Sequence, residues 1–124
     1  MSDRTETVHR YLEGFRRSDH ATVLGCLTDD VVWRIHGLRV TKGKAEFDSE
    51  IENPAFEGSP HLTVDRTIEA ADVVVVTGTG AGRHREAGPF RFAYNDLFTF
   101  RGDLIAAVDS YVVPLTDQAA SAAP

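Results

Sequence analysis

The chain has 124 residues, 42% of them hydrophobic and 26% charged, which indicates one globular domain with a single core. Its net charge of −6 argues against nucleic acid as a partner, because phosphate binding needs a basic surface. No apolar run approaches the roughly 20 residues that span a bilayer, and the N-terminus lacks the apolar core of a secretory signal. We therefore expect a cytoplasmic protein without a membrane partner.

The first half of the chain is predicted to be mostly helical. Apolar side chains at i, i+3, i+4 and i+7 predict an amphipathic helix that carries Val8, Tyr11, Leu12 and Phe15. Asp19 is typical of the N-cap of a short second helix. A turn at 29–30 leads into a strand at 31–36, and a third helix is predicted from about residue 44 to residue 51.

The second half is rich in predicted strands. Alternating and β-branched residues predict four strands joined by short turns, at residues 62–69, 73–79, 90–100 and 104–113. Gly78, Gly80 and Gly82 indicate bends or bulges, and Pro114 is expected to end the last strand. Helices followed by antiparallel strands define the α+β class. We expect about three N-terminal helices to cover one face of a strongly curved sheet.

The chain shows no internal repeat and no linker, so we expect one domain over residues 1–116 and a flexible tail at 117–124. Cys26 is the only cysteine, which excludes an intrachain disulfide, and its apolar neighbours are typical of a small buried hydrophobe. No two of the five histidines have metal-ligand spacing with a carboxylate partner, and no glycine motif for phosphate is present. The sequence therefore predicts neither a metal site nor a cofactor.

Asp96 is the most informative residue of the sequence. It belongs to the predicted strand at 90–100, in which alternate side chains share a face. That face consists of Phe90, Phe92, Tyr94, Asp96, Phe98 and Phe100. A carboxylate in an apolar wall is costly unless it is paired, and proteins accept that cost where a proton is moved or a polar ligand group is bound. The alternative is that Asp96 lies near a strand end, where it is solvated or pairs with an arginine.

Six short strings indicate a family through their order and spacing. They lie at residues 11–15, 18–19, 27–33, 43–47, 96–105 and 109–111. Together they resemble the nuclear transport factor two-like superfamily, and within it the SnoaL-like and ketosteroid-isomerase-like group, over about residues 5–114. The resemblance implies a cone-shaped, curved antiparallel (mixed) sheet that wraps around a pocket and is closed by helices. It also implies a homodimer, to which the apolar strand at 73–76 would contribute.

Enzymes of this group include ketosteroid isomerases, polyketide cyclases, epoxide hydrolases and small dehydratases. The isomerases hold an oxyanion with a tyrosine and a protonated aspartate, and a second aspartate is their base. The resemblance places Tyr11 and Asp96 at the first two positions, whereas the base position falls near Ile35, which is apolar. SnoaL-like cyclases resemble this chain in carrying an acid/base aspartate on the late strands, which implies Asp96 or Asp109. Tyr94 stands where the epoxide hydrolases carry an arginine, which argues against their water-activating triad.

Asp109 is the second candidate aspartate, on the last predicted strand. Strict alternation places it on one face with apolar side chains at 105, 107, 111 and 113, which predicts that it also points inward. Two inward carboxylates on neighbouring strands would push their pKa values apart, an arrangement that suits acid/base chemistry. The alternative is an interface residue, because the outer sheet face in this family commonly forms a dimer.

Other side chains are expected to form the wall of the pocket. The candidates for substrate binding are Trp33, Tyr94, His36, Phe92, Phe98 and Phe15. Tyr94 either bonds to Asp96 or is a core aromatic whose hydroxyl is satisfied elsewhere, and Tyr11 either acts on an oxyanion or packs its ring on the sheet. His36 lies on the opposite strand face by strict alternation, so it is either at the mouth of the pocket or at a solvated strand end.

Two functions remain open from the sequence. The first is a small enzyme without a cofactor that carries out acid/base chemistry, such as isomerisation, cyclisation or dehydration, on an apolar carbonyl-containing molecule. A polyketide, steroid or terpenoid would fit, with Asp96 moving a proton α to the carbonyl and Tyr11 or Tyr94 stabilising the enolate. The second is a non-catalytic module of the same fold that binds an apolar small molecule or dimerises.

Overall fold

The structure, a computed structural model, describes residues 2–115. In order, its elements are α1 (Asp3–Arg16), α2 (His20–Gly25), β1 (Leu27–Ile35), β2 (Arg39–Lys42), α3 (Gly43–Ile51), β3 (His61–Ala70), β4 (Val73–His84), β5 (Gly88–Arg101) and β6 (Leu104–Leu115). The predicted α+β class is confirmed, whereas the predicted tail at 117–124 lies outside the described residues. None of the helices within residues 2–115 combines the length and the apolar character needed to cross a membrane.

The six strands form one mixed sheet in the order β2-β1-β6-β5-β4-β3. Neighbouring strands are antiparallel except β1 and β6, which run parallel. The sheet is not closed into a barrel, because β2 and β3 remain as its two edges. The helices lie against one face, where α1 contacts β3 and β4 and α3 contacts β1 and β2. This curved sheet with its helical layer is the cone-like arrangement that the sequence predicts.

The helices begin and pack as their sequence pattern indicates. Asp19 caps α2, as predicted, by accepting a hydrogen bond from the Thr22 backbone N–H at 3.2 Å. The stripe on α1 is buried against the inner face of the sheet, and Val8, Tyr11 and Leu12 are almost inaccessible to solvent. The apolar periodicity of α1 therefore fixes the position of a tyrosine beneath the sheet.

Two predictions for the first half are wrong. Residues 29–30 do not form a turn but lie within β1, where the pairing with β6 shifts between Leu27 and Val32 and both aspartates are exposed. The short strand β2 was not predicted, because its four residues bury only Thr41 and show no apolar alternation. It pairs with β1 through a hairpin in which Gly37 adopts a φ of 82°, a left-handed conformation that glycine reaches without strain.

For the second half, the prediction of bulges at the glycines of β4 is confirmed at one position, and the prediction for Pro114 is wrong. Gly78, Gly80 and Gly82 each pair with β5 in a continuous register. On its other side Gly78 lies beside a β-bulge of β3, because Val64 pairs with Gly78 and Arg66 pairs with Thr77. Pro114 lies within β6 rather than ending it. The pairing of β1 with β6 extends only to Ser110, so Pro114 lies on an open edge where its missing N–H leaves no partner unsatisfied.

One irregularity in β6 decides which of its side chains face inward. Two adjacent residues of β5, Thr99 and Phe100, pair with Ala107 and Ile105, so Ala106 is an extra residue that forms a β-bulge. Because strand side chains alternate with a period of two, one extra residue exchanges the two faces from that point on. Beyond the bulge, the even-numbered positions 108 and 110 are buried on the inner face.

Candidate functional site

A cavity of about 310 Å³ lies between the inner face of the sheet and the helices. The sheet contributes Trp33, Ile35, Phe92, Tyr94, Asp96 and Ser110 to its lining, and the helices contribute Tyr11, Leu12, Phe15 and Ile51. Most of these side chains are aromatic or aliphatic, so the few polar groups among them would determine how a bound molecule is oriented.

Strand β5 presents three aromatic rings to the cavity, each opposite a glycine of β4. The pairs are Phe90 with Gly82, Phe92 with Gly80 and Tyr94 with Gly78. A Cβ atom at Gly80 would lie 2.1 Å from the Phe92 ring, and one at Gly82 would lie 2.8 Å from the Phe90 ring. The glycines are required because the rings lie against the backbone of β4, which leaves the space above them for the cavity.

Asp96 lies on the same face in the middle of the sheet, between Val76 of β4 and Ser110 of β6. Burial raises the pKa of the Asp96 carboxyl from 3.8 to about 6, although the neighbouring Ser110 hydroxyl opposes this by lowering it. None of the ion pairs formed within residues 2–115 includes Asp96. The carboxylate is therefore mostly ionised at pH 7 yet readily protonated, as a general base or acid must be.

Two tyrosines share the cavity with Asp96. Burial, followed by the charge of Asp96, raises the pKa of the Tyr11 hydroxyl well above its usual value. Burial also raises the pKa of Tyr94 to about 12, and its hydroxyl donates to the Thr63 carbonyl oxygen at 2.8 Å rather than to Asp96. Both phenols thus stay neutral at pH 7. Of the two alternatives that the sequence left open for Tyr94, the structure shows the second, in which its hydroxyl is hydrogen-bonded to a group other than Asp96.

Asp109 does not face the cavity, so the predicted pair of inward carboxylates is wrong. The bulge at Ala106 turns Asp109 to the outer face, where Arg34 Nη1 lies 3.2 Å and 3.3 Å from its two carboxylate oxygens. His36 Nε2 lies 2.9 Å from Asp109 Oδ1, and the His36 ring stacks on Tyr111 at 4.4 Å. Asp109, Arg34, His36 and Tyr111 form an outer-face cluster, so His36 is not at the mouth of the cavity either.

The other predicted wall residues take two kinds of position. Trp33, Phe15 and Phe92 line the cavity. Phe98 is fully buried and meets the Tyr11 ring edge-on, with the ring centroids 5.1 Å apart. Phe98 is therefore a core residue that supports Tyr11 from behind and does not line the cavity.

Ser110 is the residue that the sequence did not single out. It is only 5% exposed, it lines the cavity beside Asp96, and its Oγ accepts a hydrogen bond from Trp33 Nε1 at 2.9 Å. Strict alternation from the start of β6 places it on the wrong face. The one signal for the bulge is that Ile105 and Val108, both buried, are three residues apart instead of two.

Charged side chains form a rim at the exposed end of the cavity, and they too were not predicted. Arg39 Nη1 donates to both carboxylate oxygens of Glu50 at 2.8 Å, which ties β2 to α3. Arg83 of β4 also borders the cavity and lies 3.4 Å from Glu57. Within residues 2–115, no group of three histidine, cysteine or acidic side chains is arranged to hold a metal ion.

The curved sheet, the helices on one face and the cavity between them define a nuclear transport factor two-like protein. The sequence profile of the SnoaL-like domain matches residues 8–108, most of the chain. The chain therefore belongs to the SnoaL-like domain family, and the predicted family is confirmed. Among curated protein sequences, no significant match to this chain was found.

Several solved structures share this fold. A putative polyketide cyclase from Pseudomonas putida has a TM-score of 0.77 and 23% identity, over 87% of this chain and 90% of that one. An LEH-like epoxide hydrolase from M. tuberculosis has a TM-score of 0.77 and 17% identity, over 89% and 82%. A protein of ketosteroid isomerase-like fold from Catenulispora acidiphila, in complex with trimethylamine, has a TM-score of 0.77 and 17% identity, over 86% and 84%. At these identities the likeness is one of fold.

Proposed function

We propose that this protein is a cofactor-independent enzyme that moves a proton in an apolar, carbonyl-containing small molecule, such as a polyketide, steroid or terpenoid. The reaction is an isomerisation, a cyclisation or a dehydration. The observation that carries the proposal is Asp96, a carboxylate with a raised pKa in a cavity lined mostly by aromatic and aliphatic side chains. The similar fold of a putative polyketide cyclase supports chemistry on a molecule of this kind.

In the proposed reaction, ionised Asp96 takes a proton from the carbon α to the carbonyl. The electron pair of the broken C–H bond moves towards the carbonyl oxygen and forms an enolate, which needs a hydrogen-bond donor. Tyr11 supplies a neutral hydroxyl to the same cavity, and its raised pKa keeps the proton on the phenol. Asp96 then returns its proton to a second carbon in an isomerisation, or to a leaving hydroxyl in a dehydration.

The size and the walls of the cavity suit a compact apolar substrate. Its volume of about 310 Å³ is at the lower end of the range of roughly 300–1,000 Å³ for small-molecule sites. The rings of Phe90, Phe92 and Trp33 offer flat apolar surfaces that favour ring systems. Exclusion of water by these walls also makes Asp96 a stronger base, because its charged form is less well solvated.

The direct test is the exchange of α-protons for deuterium in enolisable carbonyl compounds, followed by NMR in D2O, because this readout does not require the product to be known. Asp96→Asn keeps the size of the side chain but removes the proton acceptor, so we expect exchange to slow by about 10²–10⁴-fold. Asp109→Asn is the matched control, since it makes the same change on the neighbouring strand but on the outer face. Equal exchange rates in the wild type and in Asp96→Asn would exclude the mechanism.

The pH profile of the same reaction gives a second test. A base with a pKa of about 6 must be ionised to act, so the rate should rise with pH up to about 6 and then level off. A rate that stays constant between pH 4 and pH 8 in a catalytically active protein would mean that Asp96 is not the base.

A non-catalytic binding module is the second candidate, and one observation favours it. Ile35, at the position where ketosteroid isomerases carry their base, lines the cavity and is apolar. Trp33, the only tryptophan, also lines the cavity, so ligand binding can be followed by its fluorescence. Saturable quenching by apolar carbonyl compounds without any α-proton exchange would favour the binding module over the enzyme.

We also propose that two copies of the chain associate through the outer face of the sheet. Ile68 on β3 and Tyr111 and Val113 on β6 lie on that face and are 48%, 45% and 58% exposed, and exposed large apolar side chains on one sheet face indicate an interaction surface. Light scattering coupled to size-exclusion chromatography should therefore give a dimer, and Val113→Asp should give a monomer. A wild-type monomer at micromolar concentration would overturn this proposal.

A further inference from the structure

Ser110 is held in one orientation by contacts on both its backbone and its side chain. Its carbonyl oxygen accepts a hydrogen bond from the His36 backbone N–H at 3.0 Å. Its Oγ accepts a hydrogen bond from Trp33 Nε1 at 2.9 Å. Since Ser110 is almost fully buried and its neighbours are fixed in the sheet, its hydroxyl has few directions in which to donate.

The chemistry of the indole group determines which way the Ser110 hydroxyl points. An indole nitrogen carries one hydrogen and can only donate, so Ser110 must be the acceptor in its bond with Trp33. The proton of Ser110 is thereby left for another acceptor. Asp96 is the directly paired residue on β5, and both side chains line the same cavity.

We propose that Ser110, oriented by Trp33, is a positioning residue that donates a hydrogen bond to Asp96 and holds its carboxylate ionised and aimed into the cavity. The inference rests on the proposed function insofar as Asp96 is the base. The charge state of Asp96 can nevertheless be measured without any turnover.

The other groups around Asp96 do not stabilise the negative charge of its carboxylate. Tyr11 from α1 and Tyr94 from β5 itself are neutral phenols, and Val76 from β4 is apolar. The two arginines that line the cavity belong to the rim, where Arg39 is bonded to Glu50 and Arg83 lies near Glu57. Ser110 is the polar residue paired directly with Asp96, and its hydroxyl opposes the effect of burial on the pKa of the Asp96 carboxyl.

Trp33 connects this arrangement to the helices. Its ring stacks on Phe47 of α3 at a centroid distance of 4.7 Å and meets Phe15 of α1 edge-on at 5.8 Å. These contacts fix the plane of the indole and therefore the direction of its N–H bond. The helical layer thus determines the charge of Asp96 through two successive hydrogen bonds, from Trp33 to Ser110 and from Ser110 to Asp96.

The test is a titration of the Asp96 carboxyl carbon by NMR in the wild type and in three variants. Ser110→Ala removes the donor and should raise the pKa of Asp96 by about one further pH unit, since a hydrogen bond to a charged group is lost. Trp33→Phe keeps an aromatic ring but frees the Ser110 hydroxyl, so it should shift the titration in the same direction by less. Ser110→Thr keeps the hydroxyl and should restore the wild-type titration.

The outcomes distinguish the role of Ser110 from the proposed catalytic role of Asp96. An unchanged Asp96 titration in both Ser110→Ala and Trp33→Phe, with the folded spectrum retained, would overturn the role of Ser110. If Ser110→Ala did not fold, Trp33→Phe compared with the wild type would decide alone. A shifted titration in a protein that exchanges no α-protons would support the role of Ser110 and reject the enzyme. A parallel shift of the titration and of the pH–rate profile would support both.

Discussion

Asp96 and Asp109 lie on neighbouring strands of one sheet, yet their charges are compensated in different ways. Asp109 faces outward, where the Arg34 guanidinium and the His36 ring contact its carboxylate. Asp96 faces the cavity, where its polar neighbour is the neutral hydroxyl of Ser110. Both aspartates have apolar neighbours in the sequence, so such neighbours do not by themselves mark a reactive aspartate. What marks it is a buried position without a counter-ion.

The two faces of the sheet differ in packing as well as in charge. On the inner face, Gly78 accommodates the Thr63 carbonyl oxygen and the Tyr94 hydroxyl that is bonded to it. The outer face carries large side chains such as Tyr111 and Val113 that are about half exposed. Substitutions on the inner face should therefore change stability by kilocalories per mole, and those on the outer face by much less.

The largest effect is expected at Gly78. A Cβ atom there would lie 2.0 Å from the Thr63 carbonyl oxygen, a backbone atom, so β3 must move away from β4. Gly78→Ala should lower the free energy of unfolding by about 3 kcal/mol, at the upper end of overpacking effects. Denaturant unfolding measures this change.

The control for that measurement is Gly25→Ala, at the end of α2. A Cβ atom at Gly25 meets nothing within 4 Å, so alanine should be neutral or stabilise by up to about 1 kcal/mol through its helix propensity. Equal stability of the two variants would mean that β3 yields easily and that the inner face is not closely packed.

The second largest effect is expected at Asp96 and has the opposite sign. Because the folded-state pKa of about 6 exceeds the ordinary 3.8, the folded state binds more protons than the unfolded state between these values. Wild-type stability should thus fall as the pH rises from about 4 to about 6 and stay constant above that. Asp96→Asn lacks the ionised form, so it should be more stable than the wild type at pH 7 by about 2–3 kcal/mol.

Unfolding curves collected across this pH range test the prediction, and the two proteins should converge below pH 4. If Asp96→Asn were less stable than the wild type at pH 7, the carboxylate would be stabilised by its surroundings. In that case Asp96 would resemble Asp109, and the contrast between the two faces would disappear.

The smallest effect is expected at Asp109. Its ion pair is shared with Arg34 and His36, whose side chains are 45% and 39% exposed, so solvent and salt screen the interaction. Asp109→Asn should lower the free energy of unfolding by less than about 1 kcal/mol. The loss should shrink further in 1 M salt, and a loss that is independent of salt would contradict the assignment of Asp109 to an exposed ion pair.

Much of the inner face could be predicted because β5 alternates without interruption. The register of β5 with β4 is continuous from Phe90 to Thr99, so a count of every second residue places Asp96 among the aromatic rings. The periodicity of α1 likewise places Tyr11 towards the sheet. In both elements local geometry alone decides which side chains face the core, so the sequence carries the information.

The errors arose where a contact between distant segments decides the geometry. The bulge at Ala106 lies where β6 pairs with β5 on one side and with the irregular start of β1 on the other, and neither pairing is visible in the local sequence. The requirement for glycine at position 78 comes from the carbonyl oxygen of Thr63, which lies on a different strand. The orientation of Ser110 and the outward turn of Asp109 both follow from that bulge, so one missed residue accounts for both errors.

The bulge also protects the site against a change in the length of β6. Ile105 pairs with Phe100 and Ala107 pairs with Thr99, so removal of Ala106 would join two residues whose partners are already adjacent. The strand beyond that point would keep its register, with Ser110 beside Asp96 and Asp109 beside Leu97. A one-codon deletion at Ala106 would thus straighten β6 without exchanging the groups that face the cavity, which makes Ala106 a position where evolution can shorten the chain and keep the site.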